Sequence, residues 1–133
     1  MKAITAKATA GLNLGAKVVS ADNSGARIVR IVSVKRGKGK KGRQGRAKIA
    51  DQVKVSVKKG IPEMKGKVFD AVVVRQRRPY RRRNGERIAF EDNAVVVLKD
   101  EKGNPKGTQI KGPIAREVME RWQQVAKISQ GVY

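Results

Sequence analysis

The chain of 133 residues contains no cysteine and no histidine. These absences exclude disulfides, thiolate chemistry and most zinc sites, and they remove the commonest general base of enzymes. Catalysis would then depend on acidic residues, of which Glu91 with Asp92 and Asp100 with Glu101 are the adjacent pairs. Because neighbouring residues of a strand point to opposite faces, neither pair predicts a carboxylate dyad. We therefore expect no enzyme, no cofactor and no metal, and we expect these acids to balance nearby arginines.

Acidic residues and long apolar runs are also scarce. Eleven Asp and Glu face 32 Lys and Arg, which leaves a formal net charge of +21. Such a field opposes compaction unless a counter-charge is present, and it favours nucleic acid as the partner. No apolar run approaches the length of about 18 residues that a membrane span needs, so we expect no membrane partner. Residues 1–17 lack both the apolar core of a secretory signal and the arginines of a transit peptide.

Short valine-rich segments predict a mainly β fold. Strands are predicted at 18–21, 26–34, 53–58, 68–75, 87–90 and 94–98, with a turn at 22–25. Their length and spacing, with turn residues between them, indicate a small closed barrel. We expect a single domain over 1–133, with an N-terminal extension at 1–16, the barrel at 17–111 and a helical segment at 112–133.

Residues 75–87, here called the arginine finger, follow directly on the buried strand end Ala71-Val-Val-Val74. Six of the nine residues from 75 to 83 are arginines, and Asn84-Gly85 predicts a two-residue hairpin turn. The planar guanidinium fork donates two parallel hydrogen bonds to phosphate. A solvated basic loop is the alternative, but crowded guanidinium groups repel each other. A polyanion lying across the finger is therefore favoured.

A second basic segment, residues 35–46, combines four glycines with seven basic residues. It cannot form a core and predicts a loop that an anion orders. With only five aromatic residues in the chain, recognition of phosphate and RNA shape is favoured over base reading, and Tyr80 is the one aromatic placed to stack on a base. The predicted RNA-binding residues are Lys35, Arg36, Lys38, Lys40, Lys41, Arg43, Arg46, Arg75, Arg77, Arg78, Tyr80, Arg81, Arg82, Arg83 and Lys111.

The last third of the chain predicts a helix that starts at Gly112-Pro113 and carries a Glu117–Arg121 ion pair. One face of this helix is apolar and includes Trp122. That face either packs on the barrel, which we favour, or forms a docking surface for a protein with Trp122 as its anchor. The residues expected to face a protein partner are Arg116, Met119 and Trp122.

Spaced motifs give a more specific indication. Ala71-Val-Val-Val74, Asn84-Gly85, Phe90, Asn93 and Val96-Val97 stand at the spacing of a known signature. That signature belongs to large-subunit ribosomal protein fourteen, which the chain resembles over residues 17–130. The segments 21–26 and 107–117 resemble two further blocks of the family. The N-terminal extension and the sequence Val74-Arg-Gln-Arg-Arg-Pro79 resemble those of the archaeal and eukaryotic branch of the family.

The resemblance implies a closed five-stranded, OB-like β-barrel with basic loop excursions and short C-terminal α-helices. It implies a structural role in the cytoplasmic ribosome, bound to large-subunit rRNA and contributing to a bridge with small-subunit rRNA. Implied protein partners are neighbouring large-subunit proteins, including ribosomal protein three, and an anti-association factor near the C-terminal part. A free RNA chaperone and a nucleic-acid enzyme are the alternatives. The few aromatics count against the first, and the missing catalytic side chains count against the second.

Overall fold

A computed structural model describes residues 3–35 and 45–133. Most of the predicted strands are confirmed, and two have the predicted bounds 26–34 and 68–75. Within the described residues the strands and helices are β1 (Leu12–Asn13), β2 (Lys17–Ser20), β3 (Ala26–Val34), β4 (Arg46–Ala47), β5 (Gln52–Gly60), β6 (Val68–Arg75), β7 (Tyr80–Arg81), β8 (Arg87–Ile88), β9 (Ala94–Val97), α1 (Arg116–Arg121) and α2 (Gln123–Lys127).

Five strands close into a barrel in the order β2–β3–β5–β6–β9. Neighbours are antiparallel, except that β2 and β9 close the ring as a parallel pair with Val19 opposite Ala94. The predicted mainly β, closed five-stranded barrel with short C-terminal helices is confirmed. Because the ring closes, the backbone groups of each barrel strand find partners on both sides.

Alternation along the strands places the core inside this ring. In β5, Val53, Val55 and Val57 are buried, whereas Lys54 and Lys58 are exposed. β9 is buried on both faces, as is β6 from Ala71 onward. The C-terminal segment packs outside these two strands, where the Ala115 amide donates to the Val74 carbonyl at 3.1 Å.

The predicted helix start at Gly112-Pro113 is wrong, because α1 begins only at Arg116. Ile114 forms a parallel bridge with Val132, and Ala115 is bonded to β6. These backbone contacts keep the chain extended until residue 115. Trp122, with φ −125° and ψ 77°, then separates α1 from α2. In the described part of the chain, no helix has the length and apolarity that a membrane crossing requires.

Candidate nucleic-acid interface

The arginine finger is a short hairpin in which Tyr80 pairs with Ile88 and Arg81 with Arg87. The Arg82 amide donates to the Glu86 carbonyl at 2.9 Å, so three residues, 83–85, form the tip. Gly85 has a φ of +88°, as the third residue of such a loop requires. The predicted hairpin is present, but its predicted two-residue turn is wrong because the turn extends back to Arg82.

Arg75, predicted to bind RNA, is buried at the root of the finger. Its Nε and Nη2 donate to the two carboxylate oxygens of Asp92 at 2.8 and 3.2 Å. Nη1 donates to the carbonyls of Lys111 and Pro113 at 2.8 and 3.1 Å. A Cβ on Gly112 would lie 2.6 Å from Nη1, so only glycine allows this approach. The guanidinium therefore ties the finger to the C-terminal segment, and the prediction that Asp92 balances an arginine is confirmed.

A second buried group joins the finger to helix α1. The Tyr80 hydroxyl donates to Glu117 Oε2 at 2.7 Å, and Arg82 Nε donates to Glu117 Oε1 at 2.9 Å. Arg82 also donates to the carbonyl oxygen of the terminal Tyr133. Tyr80 is 2% exposed and Glu117 is 1% exposed. Tyr80 thus cannot stack on a base in this conformation, and Arg82 does not reach outward to phosphate.

Burial raises the pKa of Tyr80 well above its ordinary value, and its hydrogen bond to Glu117 raises that pKa further. Because the folded-state pKa is the higher one, Tyr80 contributes stability that is present below pH about 10 and is lost as the pH rises above it. We expect an alkaline titration followed by tyrosinate absorbance to show Tyr80 ionising only at higher pH, with unfolding. A Tyr80→Phe variant should lose that late step, and a late step that persists in this variant would contradict the assignment.

The remaining arginines of the finger lie at the surface. Arg77, Arg78, Arg81 and Arg83 are exposed, and within the described residues their side chains form no ion pair. Their backbone is nevertheless fixed, since the Arg77 amide donates to Asn93 Oδ1 at 2.8 Å. Arg87, which was not among the predicted RNA-binding residues, is exposed beside them on β8. It lines an open groove with Phe90 and Lys111.

The N-terminal segment braces this hairpin, which the sequence did not predict. The Lys7 amide donates to the Arg81 carbonyl at 3.1 Å. Gln76, fully buried, donates from Nε2 to the Thr9 carbonyl at 2.9 Å. Both contacts end on backbone carbonyls of distant residues, so no local pattern in the sequence reveals them.

The other predicted RNA-binding residues lie in different surroundings. Lys35 Nζ is 3.0 Å from Glu101 and 3.5 Å from Asp70, so its charge is balanced within the chain. The hydrogen bond from Lys35 correspondingly lowers the pKa of Glu101. Arg46 and Lys111 are exposed. Five predicted residues lie outside the described residues, namely Arg36, Lys38, Lys40, Lys41 and Arg43.

On the C-terminal helices, Arg116 and Met119 are exposed, whereas Trp122 is 9% exposed. Trp122 Nε1 donates to the Ala50 carbonyl at 2.8 Å, which confirms the favoured packing of this face on the barrel. The predicted ion pair between Glu117 and Arg121 is wrong. Glu117 binds Arg82 instead, and Arg121 Nη1 lies 3.5 Å from Asp51.

Comparison with known proteins identifies the family of this chain. A family model described as Ribosomal protein L14p/L23e matches residues 11–133. The Large ribosomal subunit protein uL14 of Nanoarchaeum equitans is 55% identical over 130 residues, covering 98% of both chains. The proteins of the same name from Halorubrum lacusprofundi and Thermoplasma acidophilum are 52% and 49% identical, covering 95% and 97% of both chains. The chain therefore belongs to the ribosomal protein L14p/L23e family, whose members are ribosomal proteins and not enzymes.

Proposed function

We propose that this structural constituent of the large subunit of the cytoplasmic ribosome binds folded ribosomal RNA through its arginine finger. The observation that carries the proposal is that some of the finger's arginines are buried in ion pairs whereas the others are exposed. Arg75 and Arg82 are held inside by Asp92 and Glu117, while the five exposed arginines of the finger, Arg87 included, have no counter-ion in the described residues. The backbone of the hairpin is already fixed, so phosphate binding has to order only the arginine side chains. The loss of conformational entropy on binding is therefore small.

The same geometry favours phosphate and shape over base identity. The finger's tyrosine is buried, so the hairpin offers no exposed aromatic ring between its arginines. Contacts to phosphate fix the register of a protein on RNA without reading its sequence. Because residues 36–44 are rich in lysine and arginine, the proposal includes their basic side chains as further contacts to rRNA.

Binding to other ribosomal components belongs to the proposal as well. Arg116 and Met119, on the exposed side of α1, are suited to a protein partner such as ribosomal protein three or an anti-association factor. Trp122, which ends α1, packs on the barrel and is not part of this exposed surface. A bridge to small-subunit rRNA completes the proposed role, with the whole chain acting as a single domain.

Salt dependence tests the RNA interaction directly. We expect an Arg77→Gln/Arg81→Gln/Arg83→Gln variant to bind a large-subunit rRNA transcript more weakly. The plot of log K against log salt should become less steep by about 0.7–0.9 for each phosphate that the variant no longer neutralises. Arg82 is left intact because its removal would disturb the buried group with Glu117.

The matched control removes the same charge from three exposed lysines outside the finger, as Lys99→Gln/Lys102→Gln/Lys127→Gln. Its slope should change much less than that of the finger variant. Equal slopes for the two variants would mean that the finger's arginines face solvent in the complex.

A further inference from the structure

Charge is distributed unevenly around the barrel. Strands β2, β3 and β5 and the turn at 61–67 contain a single acidic residue, Glu63. Elsewhere several acids are matched with cations, as in the contacts of Arg75 with Asp92, Arg82 with Glu117 and Lys35 with Asp70. Eight exposed cations lie on these strands and this turn, and six of them form what is here called the basic barrel face: Lys17, Arg27, Arg30, Lys58, Lys59 and Lys65.

These cations lie close together without counter-ions. Lys17 stands directly opposite Arg30 across the β2–β3 ladder. Arg27, Lys59 and Lys65 line one groove of about 440 Å³ with Gly60 and Ile61. None of the six forms an ion pair in the described residues, and residues 1–2 and 36–44 contain no acid that could form one.

Local backbone features create this arrangement. The β3–β5 register shifts between Ala26 and Ile28, and such a bulge redirects the side chain of the extra residue, here Arg27. Gly60 lies against the Gly25 carbonyl, where a Cβ would come within 2.6 Å of the oxygen. Gly60 therefore brings bare backbone into the lining of the groove, beside Arg27, Lys59 and Lys65. Like charges directly opposite in a ladder destabilise a free sheet, so this face is suited to a bound anion.

The groove end of this face, at Arg27, Lys59 and Lys65, is remote from the finger. Lys17 is not, because Val19, two residues later, pairs with Ala94, the partner of Arg75. β5 and β6 are antiparallel, with Ser56 opposite Val68 and Gln52 opposite Val72. The groove lies where β6 begins, and the finger leaves where β6 ends at Arg75. With eight residues in β6, the two ends are separated by about 23 Å at the usual rise along a strand. A single phosphate cluster cannot bridge that distance.

We propose that the groove end of the basic barrel face, with Arg27, Lys59 and Lys65, is a second phosphate-binding surface, which takes the sugar–phosphate backbone of a folded rRNA segment different from the one at the finger. This inference rests on the proposed function. No aromatic residue occurs in β2, β3 or β5, so the face contacts phosphate and not stacked bases. Glu63, near Lys65 in the turn, leaves a clear excess of positive charge on the face.

The test is an Arg27→Gln/Lys59→Gln/Lys65→Gln variant, compared with the finger variant and the lysine control described above. The probe is the same large-subunit rRNA transcript, measured over a range of salt concentrations and by chemical footprinting. We expect the plot of log K against log salt to become less steep by about 2–3, because each of the three lost phosphate contacts accounts for about 0.7–0.9. Because the surfaces are far apart, the decreases in log K of the face and finger variants should add in the combined variant. The nucleotides that lose protection should differ between the two variants.

The outcomes separate this inference from the proposed function. If the face variant binds like the lysine control while the finger variant is weakened, the second surface is refuted and the proposed function stands. If neither variant weakens binding, both fail. Loss of protection at the same nucleotides in both variants would also overturn the inference, because it would mean one site and not two. The free face variant should melt no lower than the wild type, since its substitutions relieve repulsion.

Discussion

Replacing Glu117 with alanine is expected to lower the free energy of unfolding by about 3–5 kcal/mol. Glu117 is 1% exposed and accepts hydrogen bonds from both Tyr80 and Arg82. Its removal leaves the Arg82 guanidinium and the Tyr80 hydroxyl buried without their acceptor. An uncompensated buried charge is the costly part of such a deletion, more than the missing attraction itself. Chemical denaturation of the free protein measures the effect.

The matched control is Glu120→Ala, which removes the same group three residues further along α1. Glu120 is partly exposed and accepts a hydrogen bond from Thr5 Oγ1 at 2.9 Å. An exposed interaction of this kind contributes about 1 kcal/mol or less. Similar denaturation midpoints for the two variants would show that the buried group does not hold the finger to α1.

The same substitution should also affect RNA binding. Tyr80 and Arg82 flank Arg81 in the finger, and their bonds to Glu117 are what fix the hairpin on the helix. A finger released from α1 must be ordered when RNA binds, which weakens affinity without removing any exposed arginine. The salt slope should stay near the wild-type value, because the number of neutralised phosphates is unchanged.

The strands could be predicted from the sequence because each follows from local alternation. In β5, buried valines alternate with more exposed residues from Val53 to Lys58, and the predicted strand is confirmed. β3 alternates imperfectly, with Val29 and Ile31 buried but Arg27 and Ile28 both facing outward to different extents. Register shifts against β5 account for this pattern. A bulge depends on the partner strand, so the sequence of one strand alone does not define it.

The site was predicted less well, because the role of each arginine depends on distant residues. Nothing local distinguishes Arg82 from Arg81 and Arg83 in the sequence. Arg82 is buried because Glu117, 35 residues later, meets it. Tyr80 is buried for the same reason, and the predicted pair of Glu117 with Arg121 was wrong because a tertiary partner competes with the helical neighbour. Sequence composition thus predicted the basic character of the finger but not which of its arginines remain available.

Trp122→Ala is expected to destabilise the free protein by about 3–5 kcal/mol. The ring is buried at the junction of α1 and α2 and packs against Gly103, where a Cβ would lie 2.7 Å from the ring. Its Nε1 donates to the carbonyl of Ala50, a non-glycine residue with a φ of +66°. Deletion of the ring therefore opens a cavity and removes a bond that holds a strained turn between β4 and β5. Circular dichroism is the suitable probe, since Trp122 is the sole tryptophan of the chain.

Two further variants separate packing from partner binding. Trp122→Phe keeps most of the apolar area and loses the hydrogen bond to Ala50. Its free energy of unfolding should therefore lie between those of the wild type and the alanine variant. Met119→Ala, on the exposed side of α1, should change stability by no more than about 0.5 kcal/mol. A near-wild-type melting curve for Trp122→Ala, together with a defect in subunit joining, would identify Trp122 as a partner's anchor and refute its role in the core. Loss of stability in the isolated chain instead places its contribution in the fold, before any assembly takes place.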